Sequence, residues 1–462
     1  MPRESDPTAS PPFSGGIWAP HVPFSPRRFP FFYGWVIVVF GTIGVIFSIP
    51  GQTMGFSVFT DILMRELGLT RVQLSTAYCL GTVLSGLTLP LLGRLFDRIG
   101  ARKMVVYTSI ATGLILFYLS QTRNLLDGAK ALLPGVSPLF LAFAIITVGF
   151  YLIRGSAQGV LTMTSRNVMG KWFDYHRGTA LAVSGVFVSF AFSYAPRFLD
   201  QLILQTSWDR AWMILGILTL VGMTGMGWLF FRDNPEECGL VMDGPVPVRR
   251  KRVQHADSIA HRDYTRPEAL RTLAFWAFNL SFTFYSLFGT ACTFHIVSLG
   301  EEAARSRSEI IGFFLPMAVV SVLTNLLCGL LSSHMRLKYL LLMMNLAAIM
   351  AVLGTLRLES SAGAIFFIVG HGVCGGAFAA LSGIVWPRFF GRRWLGSISG
   401  FGMSSMVIGS GVGPLVFSLS HHLTGRYDAI LWMSLTIPIA LGLMAFRADN
   451  PQRAETEAER PV

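Results

Sequence analysis

Gly93-Arg94-Leu95-Phe96-Asp97-Arg98-Ile99-Gly100-Ala101-Arg102-Lys103 sits between two apolar runs, 74–94 and 103–121. Each run has the roughly 20 residues that an α-helix needs to cross a bilayer. A short cationic turn between two such runs reads as a helical hairpin whose turn lies at the headgroups. Gly93 permits close approach of a neighbouring helix. Asp97, at a membrane boundary, suits a helix N-terminus or an arginine. Arg98, Arg102 and Lys103 are expected to hold the turn at the membrane surface.

The same apolar period recurs along the chain. Runs near 33–58, 74–94, 103–121, 137–164, 178–200, 209–231, 272–296, 309–331, 337–356, 362–387, 395–419 and 428–446 predict twelve transmembrane helices. The composition agrees: 52% of the 462 residues are hydrophobic and only 13% are charged, too few to cover a soluble protein of this size. The formal charge of +12 does not point to nucleic acid, because the cations lie in the connections between runs. With the N-terminus inside, the inner tails and loops hold 26 Lys and Arg and the outer loops nine. Arg154 and Arg197 fall within spans. That asymmetry predicts cytoplasmic N and C termini and a multi-pass protein of a plasma or bacterial inner membrane. Five scattered cysteines with no CxxC pair give no disulfide framework, metal site or cofactor site.

The chain repeats itself. Phe231-Arg232-Asp233-Asn234-Pro235 closes the sixth run, and Phe446-Arg447-Ala448-Asp449-Asn450-Pro451 closes the twelfth. The expected class is therefore an all-α membrane protein of two pseudo-symmetric six-helix bundles. Its parts are a disordered cytoplasmic N-terminal tail (1–31), the first bundle (32–231), a cytoplasmic linker (232–270), the second bundle (271–447) and a cytoplasmic C-terminal tail (448–462). The linker carries the basic run Arg249-Arg250-Lys251-Arg252.

Residues 93–103 read GxLxDRxGxRK and resemble the signature loop of the major facilitator superfamily, between its second and third spans. The resemblance implies the major facilitator fold and a conformational latch at Gly93, Asp97, Arg98, Gly100 and Arg102. In the second half, Ser333 stands where the latch acid is expected, which implies a weaker counterpart. Tyr33-Gly34-Trp35, Lys171-Trp172-Phe173 with Arg177-Gly178, and Phe389-Phe390-Gly391-Arg392-Arg393 are similar to the monocarboxylate and oxalate–formate porter branch. Those porters carry a basic residue in the eighth or eleventh span; here 309–331 and 395–419 contain no Lys or Arg.

An ionisable residue inside a span is a functional candidate. Arg154 heads the candidates. Thr147, Tyr151, Arg154, Gln158, Thr162 and Ser165 recur every three or four residues and predict a polar stripe facing a water-filled cavity. An arginine there can hold an anion bidentately. Asn279, Thr283, Ser286, Thr290 and Thr293 form a second stripe, suited equally to a cavity lining or to helix contacts. His371 suits proton coupling or solute contact. Pro50-Gly51 interrupts the first span and offers Gln52 to the interior. The expected binding set is Arg154, Tyr151, Gln158, His371, Asn279, Thr283 and Gln52.

No HExxH, no GxSxG and no intramembrane carboxylate pair argues for an enzyme. The expected function is secondary transport by alternating access of a small organic anion such as a monocarboxylate, with a proton as the candidate coupled ion and the bilayer as surrounding partner. The chain is expected to work as a monomer. The alternatives are a carrier or exporter of a neutral, drug-like compound and a transporter-like receptor.

Overall fold

The structure, a computed structural model, describes residues 16–244 and 262–453. The basic run Arg249–Arg252 lies outside the described residues.

Each of the twelve apolar runs folds largely as helix. The principal helices are α1 (Gly34–Ile46), α2 (71–99), α3 (101–120), α4 (Pro138–Trp172), α5 (Arg177–Gln205) and α6 (Trp208–Phe230) in the first half. In the second they are α7 (Leu273–Phe294), α8 (Phe314–Leu331), α9 (Leu337–Leu356), α10 (Ser361–Phe390), α11 (Leu395–Thr424) and α12 (Asp428–Phe446). Ten stretches among the described residues are long and apolar enough to cross a membrane. One of them, Thr76–Ser120, contains most of α2 and all of α3. Gly100, at φ 82°, breaks that stretch; a left-handed backbone is open to glycine because it has no Cβ. A Cβ there would also strike the Asp233 carboxylate. The Phe-, Ser- and Thr-rich α7 is not among the ten.

The helix surfaces carry the pattern expected in lipid. Leu84, Leu87 and Leu91 on α2 are exposed, as are Leu323, Leu327 and Leu330 on α8. Small residues instead line the helix contacts, where glycine lets backbones meet. Gly354 lies against the Phe367 backbone and Gly370 against Ala351, joining α9 to α10.

Two helices depart from regular α geometry. Arg154–Leu161 in α4 and Leu218–Met223 in α6 are π-helical. A π turn widens the i→i+4 ladder to i→i+5 and concentrates at functional sites. In α1, the chain turns through a 3₁₀ segment at Ile49–Gly51 before resuming as the short helix Thr53–Ser57. Pro50 supplies no N–H there, so the predicted interruption is real.

Residues 16–31 correct the expectation of a disordered tail. They form a strap across the end of the molecule that holds the 93–103 turn, here named the motif end. Arg102 donates to the carbonyls of Ala19, Val22 and Trp228. Arg232 donates to those of Pro20, Val22 and Phe24. Arg27 donates to Cys238 and Gly239. Two guanidiniums only 2% and 1% exposed need acceptors, and the strap's backbone supplies them. Arg102 therefore lies inside the protein, not at the headgroups.

The repeated closing motifs perform the same task twice. Asp233 accepts from the Arg102 N–H at the start of α3. Asp449 pairs with Lys338 and Arg336 at the start of α9, at 2.6 and 3.5 Å. The described ends of the linker also mirror one another. Asp243 accepts from the N–H groups of Asp174, Tyr175 and His176 before α5. Asp263 accepts from those of Arg392 and Arg393 before α11.

Candidate functional site

The halves meet along two seams at the motif end, α2 on α11 and α5 on α8. On the first, Gly93 and Gly396 touch backbone to backbone, and Asp97 spans the seam. Its carboxylate accepts from Gly396 N–H at 2.7 Å and Ser397 N–H at 2.8 Å, at the N-terminus of α11. Charge and free donors are complementary there. On the second seam, Gly178 and Gly329 approach in the same manner, and Asn325 Nδ2 donates to Ala182 O. Ser333 turns back onto its own helix, bonding to Leu330 O and His334. Of the other turn residues, Arg98 is exposed and Gly100 and Arg102 belong to the α3–α6 contact within the first half.

The loop after α6 carries buried ionisable groups beside this closure. Burial, with Asp233 nearby, pushes the Glu237 carboxyl above its usual range. Burial also pushes the Cys238 thiol up to about 12, which leaves it protonated and unreactive at neutral pH.

Above the closure, α4 reaches across to the second half through three side chains. Asn167 Nδ2 donates to Ser399 Oγ at 2.7 Å, Arg166 Nη1 to Ser382 Oγ at 2.7 Å and Arg154 Nη2 to Ser410 Oγ at 3.2 Å. Arg154 is 1% exposed. Its Nη1 donates to Gly51 O, the carbonyl at the break in α1, and lies 3.4 Å from Thr53 Oγ1. The Tyr78 ring lies 5.0 Å from its guanidinium carbon. Among the described residues no carboxylate pairs with it, and its Nε–H is buried without a partner. A buried cation without a counter-charge costs several kcal/mol, roughly, even after relaxation. Local breaks in α1 and α4 thus bring backbone and guanidinium together where regular helices would not.

The π turns correct the predicted stripe on α4. With the helix widened at 154–161, spacing by three or four no longer keeps one face. Thr147 bonds to its own helix at Phe143 O. Thr162 and Ser165 are buried toward α1, Thr162 3.4 Å from Gln52 Nε2 and Ser165 against Gly44. Tyr151 and Gln158 are half-buried, and Gln158 Oε1 has no partner. Gln52 also donates to Ser48.

The first three residues of the stripe on α7 pack against α11, while Thr290 is half-buried and Thr293 exposed. Asn279 donates to Ser405 and Ser286 to Met406 O, both on α11, and Thr283 lies against Gly409. Asn279 Oδ1 and Thr283 Oγ1 are left buried without partners. His371 stands apart from Arg154's partners, its ring 4.5 Å from Phe367 and stacked at 5.4 Å on Phe288. Its Nε2 is buried and unbonded.

The sequence did not mark Ser410, Tyr78 or Arg166. Ser410 lies in the glycine-rich stretch Gly409-Ser410-Gly411-Val412-Gly413-Pro414, whose composition suggests bending and close packing rather than a polar contact. Arg166 lies two residues past the apolar run on α4, among the loop cations by that count.

Comparison with known proteins bears on this arrangement. A family model described as Major Facilitator Superfamily matches residues 41–371. YhjX, an uncharacterized MFS-type transporter of Escherichia coli (strain K12), is 21% identical over 281 residues. That match covers 60% of this chain and 59% of the relative's length. Among solved structures, a bacterial homologue of the iron transporter ferroportin in an outward-facing state gives a TM-score of 0.62 at 13% identity, over 89% of this chain and 99% of that one. The human organic anion transporter MFSD10 gives 0.57 at 14% identity, over 90% and 100%. FucP in the outward conformation gives 0.57 at 14% identity, over 90% and 99%. These likenesses establish a common fold, and the family match spans well over half of the chain: the chain belongs to the Major Facilitator Superfamily, a family of multi-pass membrane transporters.

Proposed function

We propose that the protein carries a small organic anion, such as a monocarboxylate, by alternating access between two six-helix bundles (32–231 and 271–447), with both termini and the motif end in the cytoplasm. The observation that carries this reading is Arg154: a buried guanidinium at the meeting of α1, α4 and α11 with, among the described residues, no carboxylate beside it and one N–H unbonded. An incoming carboxylate supplies the missing charge and acceptor. The two bonded seams at the motif end support this reading: with that end in the cytoplasm, the closed state is one in which such an anion arrives from the outside.

The test is uptake into proteoliposomes of labelled lactate, benzoate and oxalate, with and without a pH gradient. Saturable uptake and counterflow of at least one acid are expected, lost in Arg154→Gln with the protein still in the membrane. Stimulation by inward acid identifies proton coupling. Transport of none of the three, or unchanged kinetics in Arg154→Gln, overturns the reading; flux of a neutral hydrophobic dye in their place assigns the protein to drug-like cargo.

A further inference from the structure

Every described residue of α4 from Gly159 to Trp172 is buried except Arg166. This side chain keeps accessible surface in a stretch otherwise sealed by packing. Its hydrogen bond runs to Ser382 on α10, in the other half. Among the described residues it has no carboxylate partner. Just toward the motif end, the closure begins: Asn167 bonds to Ser399, and Gly170 lies 3.2 Å from Pro387 as judged from an added Cβ. Arg166 is thus the last cation on the interior side of the closure. Twelve residues separate it from Arg154, at most about 18 Å at the rise of an α-helix and less across the π-helical turns at Arg154–Leu161. A small carboxylate is far too short to touch both at once.

We propose that Arg166 is a second anion station, at the motif-end floor of the path, that takes the carboxylate after Arg154 releases it. This rests on the organic-anion reading. When the motif end opens, the halves part and the bond to Ser382 breaks, since its two ends belong to different halves. The guanidinium then presents its free N–H groups toward the cytoplasm, and a carboxylate replaces the serine hydroxyl as acceptor. A charged acceptor is stronger than the hydroxyl it displaces. In the closed state the same bond to Ser382 occupies the arginine and keeps it from trapping the anion prematurely.

The experiment measures KM from each face, in right-side-out and inside-out membrane vesicles, for whichever of lactate, benzoate and oxalate the wild type carries. In Arg166→Gln, KM from the motif face rises about tenfold or more, the loss expected of one charge-assisted pair, while KM from the far face stays within about twofold. Arg166→Lys restores part of the motif-face affinity. Ser382→Ala keeps the cation and leaves both KM values within about twofold. Equal effects of Arg166→Gln and Ser382→Ala on both faces would show a lock between halves and overturn the station. Unchanged KM at both faces in Arg166→Gln, with Arg154→Gln inactive, defeats the second station alone. Wild-type uptake in Arg154→Gln defeats the anion reading beneath it.

Discussion

A Cβ on Gly396 would sit 2.5 Å from the carbonyl oxygen of Gly93, and one on Gly93 would run into the carbonyl of Gly396. On each side a backbone carbonyl stands in the way, joined at Gly396 by the Phe96 ring and the Asp97 carboxylate, so neither helix yields without parting from the other. Gly329 and Gly178 repeat the relationship at 2.6 Å on the opposite seam. Gly329 occupies in the second half the place that Gly93 holds in the first.

Gly93→Ala is expected to disfavour the closed motif end by about 1–3 kcal/mol, the usual cost of forcing a methyl into a packed contact. A cysteine at Ser399, just inside the closure, reports the change. Its labelling by an impermeant maleimide in inside-out vesicles is expected to accelerate. An unchanged labelling rate argues that the seam is not a moving contact.

Asp97→Asn removes a carboxylate that two α11 N–H groups share and brings an amide's own donors against them. The charge-assisted bonds lost are worth about 1.5–3 kcal/mol. Turnover is expected to fall by about tenfold, with less change in solute affinity from the far face. Stopped-flow counterflow separates the two; a variant with wild-type turnover dismisses the latch.

The seams differ in their fastening. Asp97 bridges α2–α11, while Ser333 bonds only within its own helix and turn. Motif-end opening is therefore expected to start at α5–α8. Spin labels across that seam are expected to show the broader distance distribution, and Ser333→Asp to narrow it. Equal widths for both seams in the wild type would count against unequal opening.

Deleting residues 1–24 removes the strap carbonyls that receive Arg102 and Arg232, leaving Arg102 with Trp228 O and Arg232 with Leu229 O and Phe231 O. Each guanidinium donor stranded in this way costs about 1–3 kcal/mol. A lower Tm in detergent is expected, and Arg102→Gln in the truncated chain is expected to cost less than in the full one, since the two changes share a partner. Full additivity excludes the strap as the arginine's partner.

The helical stretches, the turn between 74–94 and 103–121, and the Pro50-Gly51 interruption were legible because apolar length, charge and proline act through local rules. The strap was not: Arg102 and Arg232 bind main-chain carbonyls, which every residue possesses, so Pro- and Ser-rich composition read only as tail. The face of α4 was misread for a different reason. Counting by three and four presumes a regular ladder, and no residue in Arg154–Leu161 announces its widening. Arg166 was passed over because hydrophobicity ends a span at the first dense cations, while the buried part of α4 continues to Trp172.

The π turns of α4 also bear on its history. A wide turn accommodates one residue more than a regular one, as if a single amino acid had been inserted without moving either end of the helix. Removing Ala157 should restore the regular ladder and leave both ends of the helix in place, with Arg166 still facing Ser382. An alignment of this helix with a regular relative then requires a gap in the middle of a span, the place where gaps are ordinarily forbidden. Comparing residues one-for-one beyond that point would pair each side chain with a neighbour on the wrong face.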